Sequence, residues 1–261
     1  MPFFVVVILG IIQGLTEFLP VSSSGHLVVA QHYLPGFTEA ALPFDVLLHF
    51  GTLVSLIIYF FGDIRRIVFS FFKWKGEDQR SDRRIGYLIV IGSVPAAIVG
   101  IFFKAQIEAL FDNARIVPFM FLVTAALLLI GERTARSQRA MKSIGVWEAL
   151  VIGLFQAVAI MPGISRSGST IVGGLMTGLE RSDATRFSFL LSIPAVLGAS
   201  ILSAGDLVGF NPVYIVGVVV SCLVGLSAIW LTFRFVVGRK LWVFSAYLIA
   251  LAALLIVVNF V

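Results

Sequence analysis

Residues 13–26 read QGLTEFLPVSSSGH and interrupt the apolar stretch 3–33 in its middle. A spanning helix takes roughly 20 apolar residues, and the pieces on either side of the interruption are mostly too short to cross. A second stretch, 147–181, is broken in the same way by PGISRSGST at residues 162–170. Pro, Gly and Ser end helices. Free backbone at membrane depth survives only when it is buried in protein or lines a wet cavity. Each stretch is therefore expected to form a re-entrant helical hairpin rather than a span.

The rest of the chain supplies the membrane domain around these two breaks. Its 261 residues are 59% hydrophobic and only 13% charged, with a mean hydropathy of +1.04. A soluble globule has no interior large enough for that excess, and the long unbroken Leu, Ile, Val, Phe and Ala runs lack the period-two alternation of an outer-membrane barrel. The expected class is an all-α polytopic membrane protein. Six spans fall near 45–61, 85–103, 116–131, 187–203, 213–233 and 241–260. Together with the two hairpins they form a single integral membrane domain over 1–261.

Basic residues set the orientation. Of 19 Lys and Arg, seven lie in 62–84, four in 131–147, two at Arg181 and Arg186, and three in 234–240. Segments 33–44 and 204–212 have none, and 104–115 has only Lys104 and Arg115. The first group is expected in the cytoplasm and the last three outside. The formal charge of +5 thus reports topology, and nucleic acid is not an expected partner. Trp74, between Lys73 and Lys75, fits an interfacial anchor. The lone Cys222 excludes a disulfide framework. The start MPFFVVVILG lacks the basic stretch of a secretory signal, so the first helix is expected to stay.

The two broken stretches are related by an offset of 143 without a gap. Gly10, Gln13, Ser22, Ser24, Gly25 and Val29 fall on identical residues Gly153, Gln156, Ser165, Ser167, Gly168 and Val172. Matches continue from Ala41, Phe44, Leu47 and Leu48 to Ala184, Phe187, Leu190 and Leu191. Repeat one covers about 1–131 and repeat two about 147–261. The first hairpin precedes an inward span and the second an outward one, so the topologies are inverted. Inverted repeats with broken helices bring their polar tips together near the midplane.

The tips carry the chemistry. Glu17 is an acidic residue inside an apolar run, and an ionisable group there costs several kcal/mol unless paired or solvated. Gln13 shares its helix face at spacing i, i+4. His26 follows Ser22, Ser23, Ser24 and Gly25 in a sequence suited to a turn that feeds a helix. At the second tip Ser165, Arg166, Ser167, Ser169 and Thr170 crowd a helix N-terminus, where backbone N–H groups and the helix dipole favour an anion. Arg166 adds a permanently charged fork that matches phosphate oxygens. Arg166 and Glu17 could also form a purely structural ion pair. His49 in the first span fits packing or a supporting role equally well, and His32 lies near the outer surface.

The pair QGLTEFLPVSSSGH and PGISRSGST resembles the two signature motifs of the bacitracin-resistance type undecaprenyl-diphosphatases, integral membrane enzymes of bacterial cell-wall lipid recycling. The likeness covers nearly the whole chain. Gln13 stands where that family accepts Glu or Gln, so one carboxylate of its Glu/Gln-x-x-x-Glu pattern is absent and the burden shifts to Glu17. The resemblance implies removal of the terminal phosphate from undecaprenyl diphosphate, a lipid that stays among the membrane lipids while its diphosphate enters between the tips. It implies Glu17, His26, Arg166 and Ser23 as catalytic residues, with His26 or Ser23 as nucleophile. Gln13, Ser22, Ser24, Ser165, Ser167 and Thr170 would bind the substrate. Glu17 could share a divalent cation, Mg²⁺ or Ca²⁺, with the diphosphate. It further implies a multi-pass protein of the bacterial inner membrane with its site opening outward, and leaves a homodimer open. Architecture alone fits a secondary transporter or flippase for an anionic solute or lipid headgroup equally well.

Overall fold

The computed structural model describes residues 1–35, 42–72, 76–111, 113–135, 138–202 and 211–258. Helices α1 (Phe3–Phe18) and α2 (Ser23–Tyr33) form the first hairpin, followed by α3 (Leu42–Tyr59), α4 (Phe61–Ser70), α5 (Glu77–Phe102), α6 (Lys104–Phe111) and α7 (Val117–Thr134). The second hairpin is α8 (Val146–Val158) and α9 (Arg166–Met176), followed by α10 (Arg181–Leu202), α11 (Tyr214–Val237) and α12 (Leu241–Val257). Both breaks fall where the sequence places them. Helix α1 ends at Phe18, two residues before Pro20, and α8 ends four residues before Pro162. With a rise of 1.5 Å per residue, an 11-residue helix such as α2 or α9 covers only about 17 Å, half the hydrocarbon core.

A helix stands at each of the six expected spans, but they are not equal. Among the described residues four helical stretches are long and apolar enough to cross a membrane: Glu77–Phe102, Ala114–Thr134, Arg181–Ile201 and Tyr214–Val237. Phe44–Tyr59 qualifies only together with α4, from which it is bent by 75°. Helix α12 has 17 residues, about 25 Å at the standard rise, and falls below that length. The segment after residue 61, expected as connecting chain, instead folds into α4. The turn at Phe60–Gly62 reorients the chain, and α4 then exposes Phe61, Val68 and Phe69 beside Arg65 and Arg66. That amphipathic face suits a helix lying along the interface. Lys73, Trp74, Lys75 and most of 204–212 lie outside the described residues.

Helices pair across the two halves. Helix α1 packs along α11, and α8, 143 residues after α1, packs along α5; α7 meets α12 and α3 meets α10. Small residues make the closest crossings. A methyl group on Gly153 would collide with the backbone of Gly92, and one on Gly10 would press on the carbonyl of Gly217. In lipid, apolar surface gains little by leaving the tails, so such backbone approach and interhelical hydrogen bonds hold the bundle. Gly92, Gly217 and Gly225 likewise sit at close helix contacts, whereas among the described residues nothing lies within reach of Gly100.

An aromatic cluster anchors the inner end of the first hairpin. Phe18 meets Phe189 edge-on at 5.6 Å, and Phe60 and Phe233 lie 6.0 and 5.9 Å from Phe189. Because Phe18 follows Glu17, this packing fixes where the carboxylate points.

Candidate active site

At the first tip the chain leaves α1 at Leu19 and turns through Ser22, whose φ of 72° lies in the left-handed region. Such a backbone costs about 1–3 kcal/mol in a residue with a side chain. Local bonds hold it there. The Ser22 hydroxyl accepts from Gly25 N at 3.4 Å and lies 3.3 Å from the Ser24 hydroxyl, while its carbonyl accepts from His26 N at 3.2 Å. The result starts α2 with Ser23 and His26 in its first turn.

The second tip is held from α7. Thr124 donates to the Gly163 carbonyl at 3.1 Å and accepts from Ser165 N at 3.1 Å. Gly163 has φ of 89°, and a side chain there would also strike Met120. Ser165 caps α9 by accepting from Gly168 N at 3.1 Å. Arg166 is thereby the first residue of a helix whose N-terminus faces the other tip.

The tips meet. Arg166 donates to Glu17 Oε1 across 149 residues of sequence, and the two form a salt bridge. Ser23 donates to Glu17 Oε2 at 2.6 Å and Gln13 Nε2 to the same oxygen at 3.0 Å. Two further side chains come from α3: His49 Nε2 lies 3.7 Å from Glu17 Oε2, and Thr52 Oγ1 lies 3.4 Å from Gln13 Nε2. Gln13 is fully buried and Glu17 only 6% exposed. A buried carboxylate is tolerable only when paired and hydrogen-bonded, and this one has a guanidinium, a hydroxyl and an amide around it.

The remaining expected residues sit beside this cluster rather than in it. His26 has no hydrogen bond to Ser23 or Glu17 among the described residues; its ring contacts Ser22 O and the Tyr247 hydroxyl, each at 2.7 Å. Ser165 and Ser167 share a contact of 3.2 Å, and Ser167 reaches back to the Leu19 carbonyl at 3.2 Å, which ties the tips together. Thr170 is fully buried and donates to the Arg166 carbonyl at 2.8 Å. Ser22, Ser165 and Thr170 thus already serve the local backbone.

Several contributors carried no readable signal. Thr52, Thr124 and Tyr247 are isolated polar groups in apolar helices, where a packing role is the ordinary expectation. Asp45, at the edge of a span in the sequence, is gripped by Gln31 Nε2 at 2.8 Å to both oxygens, and its carbonyl lies 2.8 Å from His49 Nδ1. That contact leaves His49 Nε2 turned toward Glu17. A cavity of about 280 Å³ lined by Tyr59, Phe60, Asp63, Asp183 and Arg186 shares no residue with the cluster.

The model of the bacitracin resistance protein BacA family matches residues 6–254. The chain belongs to the BacA family. The BacA match takes in both hairpin tips, α3 with His49 and Thr52, and Tyr247 on α12. Among curated proteins, an undecaprenyl-diphosphatase of Syntrophotalea carbinolica is 43% identical over 251 residues, covering 95% of each chain. Those of Alkaliphilus metalliredigens and Desulfosudis oleivorans are 42% and 44% identical; the first covers 94% of each chain, the second 92% of this chain and 93% of its own.

Proposed function

We propose that the chain hydrolyses undecaprenyl diphosphate to undecaprenyl phosphate and inorganic phosphate, and so returns the lipid carrier to cell-wall synthesis and gives bacitracin resistance. The observation that carries this is the pairing of Arg166 with Glu17 between two hydroxyl-rich hairpin tips, in a chain whose BacA-family relatives bear that enzyme's name. The polyprenyl tail stays in the bilayer and the diphosphate enters between the tips. Arg166 turns from Glu17 to the distal phosphate and, with the α9 N-terminus, stabilises the charge that develops as the phosphoryl group transfers. His26 Nε2 attacks the distal phosphorus, the bridging P–O bond breaks, and undecaprenyl phosphate leaves with the electron pair. Water then cleaves the N–P bond. Glu17, released from Arg166, accepts the proton of that water.

The Ser23–Glu17 contact of 2.6 Å favours a second reading in which Ser23 Oγ attacks and Glu17 takes its proton. An imidazole lone pair can attack without first losing a proton, whereas the Ser23 hydroxyl needs a base, so His26 is the readier nucleophile.

The donors present suit a divalent cation. The Gln13 amide oxygen is buried and, among the described residues, accepts no hydrogen bond, one helical turn from the Glu17 carboxylate. Two hard oxygens of this kind, completed by diphosphate oxygens, fit Mg²⁺ or Ca²⁺. When bound, the cation neutralises the diphosphate.

The test is phosphate release from a polyprenyl diphosphate by the purified protein, with and without a chelator. One phosphate per lipid and a monophosphate product are expected, with the rate reduced by chelation. Lipid or anion movement across vesicles without phosphate release would return the chain to the transport reading.

The site opens outward from the inner membrane, as the family resemblance implies, and the orientation of the chain itself rests on 16 of the 19 basic residues falling in four segments of one side. Single cysteines at Gln79 and Asp206 check it, Asp206 being placed by sequence alone. In intact cells an impermeant maleimide should label the second and spare the first, and labelling of both from one side would end the inverted six-span scheme.

A further inference from the structure

A carbonyl oxygen can only accept, so the 2.7 Å contact of His26 Nδ1 with Ser22 O puts the proton of the neutral ring on Nδ1 and leaves the lone pair on Nε2. That lone pair faces the Tyr247 hydroxyl at 2.7 Å. The phenol therefore donates and Nε2 accepts. The two rings lie 14° from parallel with centroids 5.7 Å apart, and Phe121 closes on the imidazole at 5.1 Å. One ring is thus fixed by a tip carbonyl, a phenylalanine of α7 and a tyrosine of α12.

Tyr247 stands 221 residues from His26 in sequence. Its helix is seated on α7, the same helix that holds the second tip through Thr124. Phe244, Ser245 and Leu248 of α12 are buried, whereas Tyr247 is 46% exposed. A tyrosine in an apolar helix ordinarily turns its hydroxyl to the water interface; this one turns it to an imidazole in the active site. With the residue nearly half exposed, the ring has room to swing aside without moving α12.

We propose that Tyr247 is a positioning residue for the phosphatase reaction, holding His26 Nε2 as an unprotonated acceptor aimed into the site and yielding it when the diphosphate arrives. The proposal rests on the reading of His26 as the reacting group. In the resting protein the hydroxyl occupies the place beside Nε2 that the distal phosphorus must reach. On substrate entry the distal phosphorus takes the place beside Nε2 and the hydroxyl gives it up. The exchange of partners orders the imidazole before the attack and couples its release to the presence of substrate.

Tyr247→Phe keeps the ring and removes only the hydroxyl. In the purified full chain, kcat on a polyprenyl diphosphate is expected to fall about tenfold, the kinetic equivalent of one hydrogen bond, while KM stays within about twofold. The histidine ¹⁵N spectrum, assigned with His26→Gln, should show Nε2 moved and Nδ1 still protonated. Tyr247→Leu, which also removes the stacked ring, should lose more than Tyr247→Phe. An unchanged kcat with an unchanged ¹⁵N spectrum, even with a lower thermal stability, overturns the proposal, as does a rise in KM with kcat intact. His26→Ala separates the two claims. If His26→Ala still turns over within about tenfold of the parent, the role of His26 fails and that of Tyr247 with it. If His26→Ala is inactive and Tyr247→Phe normal, only the role of Tyr247 fails.

Discussion

Arg166→Lys is expected to lose about 100-fold in kcat/KM although the charge is kept, and Arg166→Ala about tenfold more. The guanidinium fork faces Glu17 from the first turn of α9. It meets a carboxylate in the resting site and a phosphate in the working one, both planar-edge or tripodal acceptors that a point charge contacts less well. The alanine variant should also be less stable by about 3–5 kcal/mol, because Glu17 is left buried without its cation. Phosphate release at saturating and limiting substrate, together with thermal unfolding in detergent, measures both effects. Near-normal turnover in the lysine variant would make Arg166 a structural counter-ion and remove the clamp from the mechanism.

His26→Ala is expected to lose about 1,000-fold or more in kcat, the scale on which removal of a reacting group is felt. Ser23→Ala should keep appreciable activity, since on this reading Ser23 only donates to Glu17. An acid-labile phosphohistidine should accumulate briefly when the parent enzyme is quenched early. Equal losses in the two variants, with an acid-stable phosphoserine, would transfer the attack to Ser23 with Glu17 as its base. Retention within about tenfold by His26→Ala is a barrier change of only about 1.4 kcal/mol, too small for a lost nucleophile.

Some parts of this protein follow from composition and pattern with no knowledge of contacts. The membrane class follows because the apolar excess has no alternative solvent. The two breaks follow because Pro20 and Pro162–Gly163 act on the local backbone, and local effects are written in local sequence. Glu17 and Arg166 stand out for a similar reason: a charge within apolar surroundings is costly, so its position alone signals a partner. The offset of 143 makes the two tips comparable and points to where that partner lies.

The tertiary structure decided the rest. His49 and Thr52 join the cluster because α3 brings one of its faces against α1; in LLHFGTLV the histidine fits packing or a supporting role equally well, and nothing sets Thr52 apart. The opposite holds for Ser22, Ser165 and Thr170, which look like phosphate donors in sequence but whose hydroxyls already meet backbone atoms. His26, which the family resemblance marks for the reaction, is held by Tyr247, 221 residues away. Hydroxyls and imidazoles are chosen by whichever group is nearest in space, and their hydrogen bonds reach only about 3 Å. The sequence by itself therefore determined the class of the fold, the two hairpins and the buried charge pair, since each is enforced by solvation or by the backbone of a few neighbouring residues. Only the packing of α3, α7 and α12 around the tips decided which neutral side chains those charges and the imidazole touch, because such contacts depend on distances between elements that no local pattern encodes.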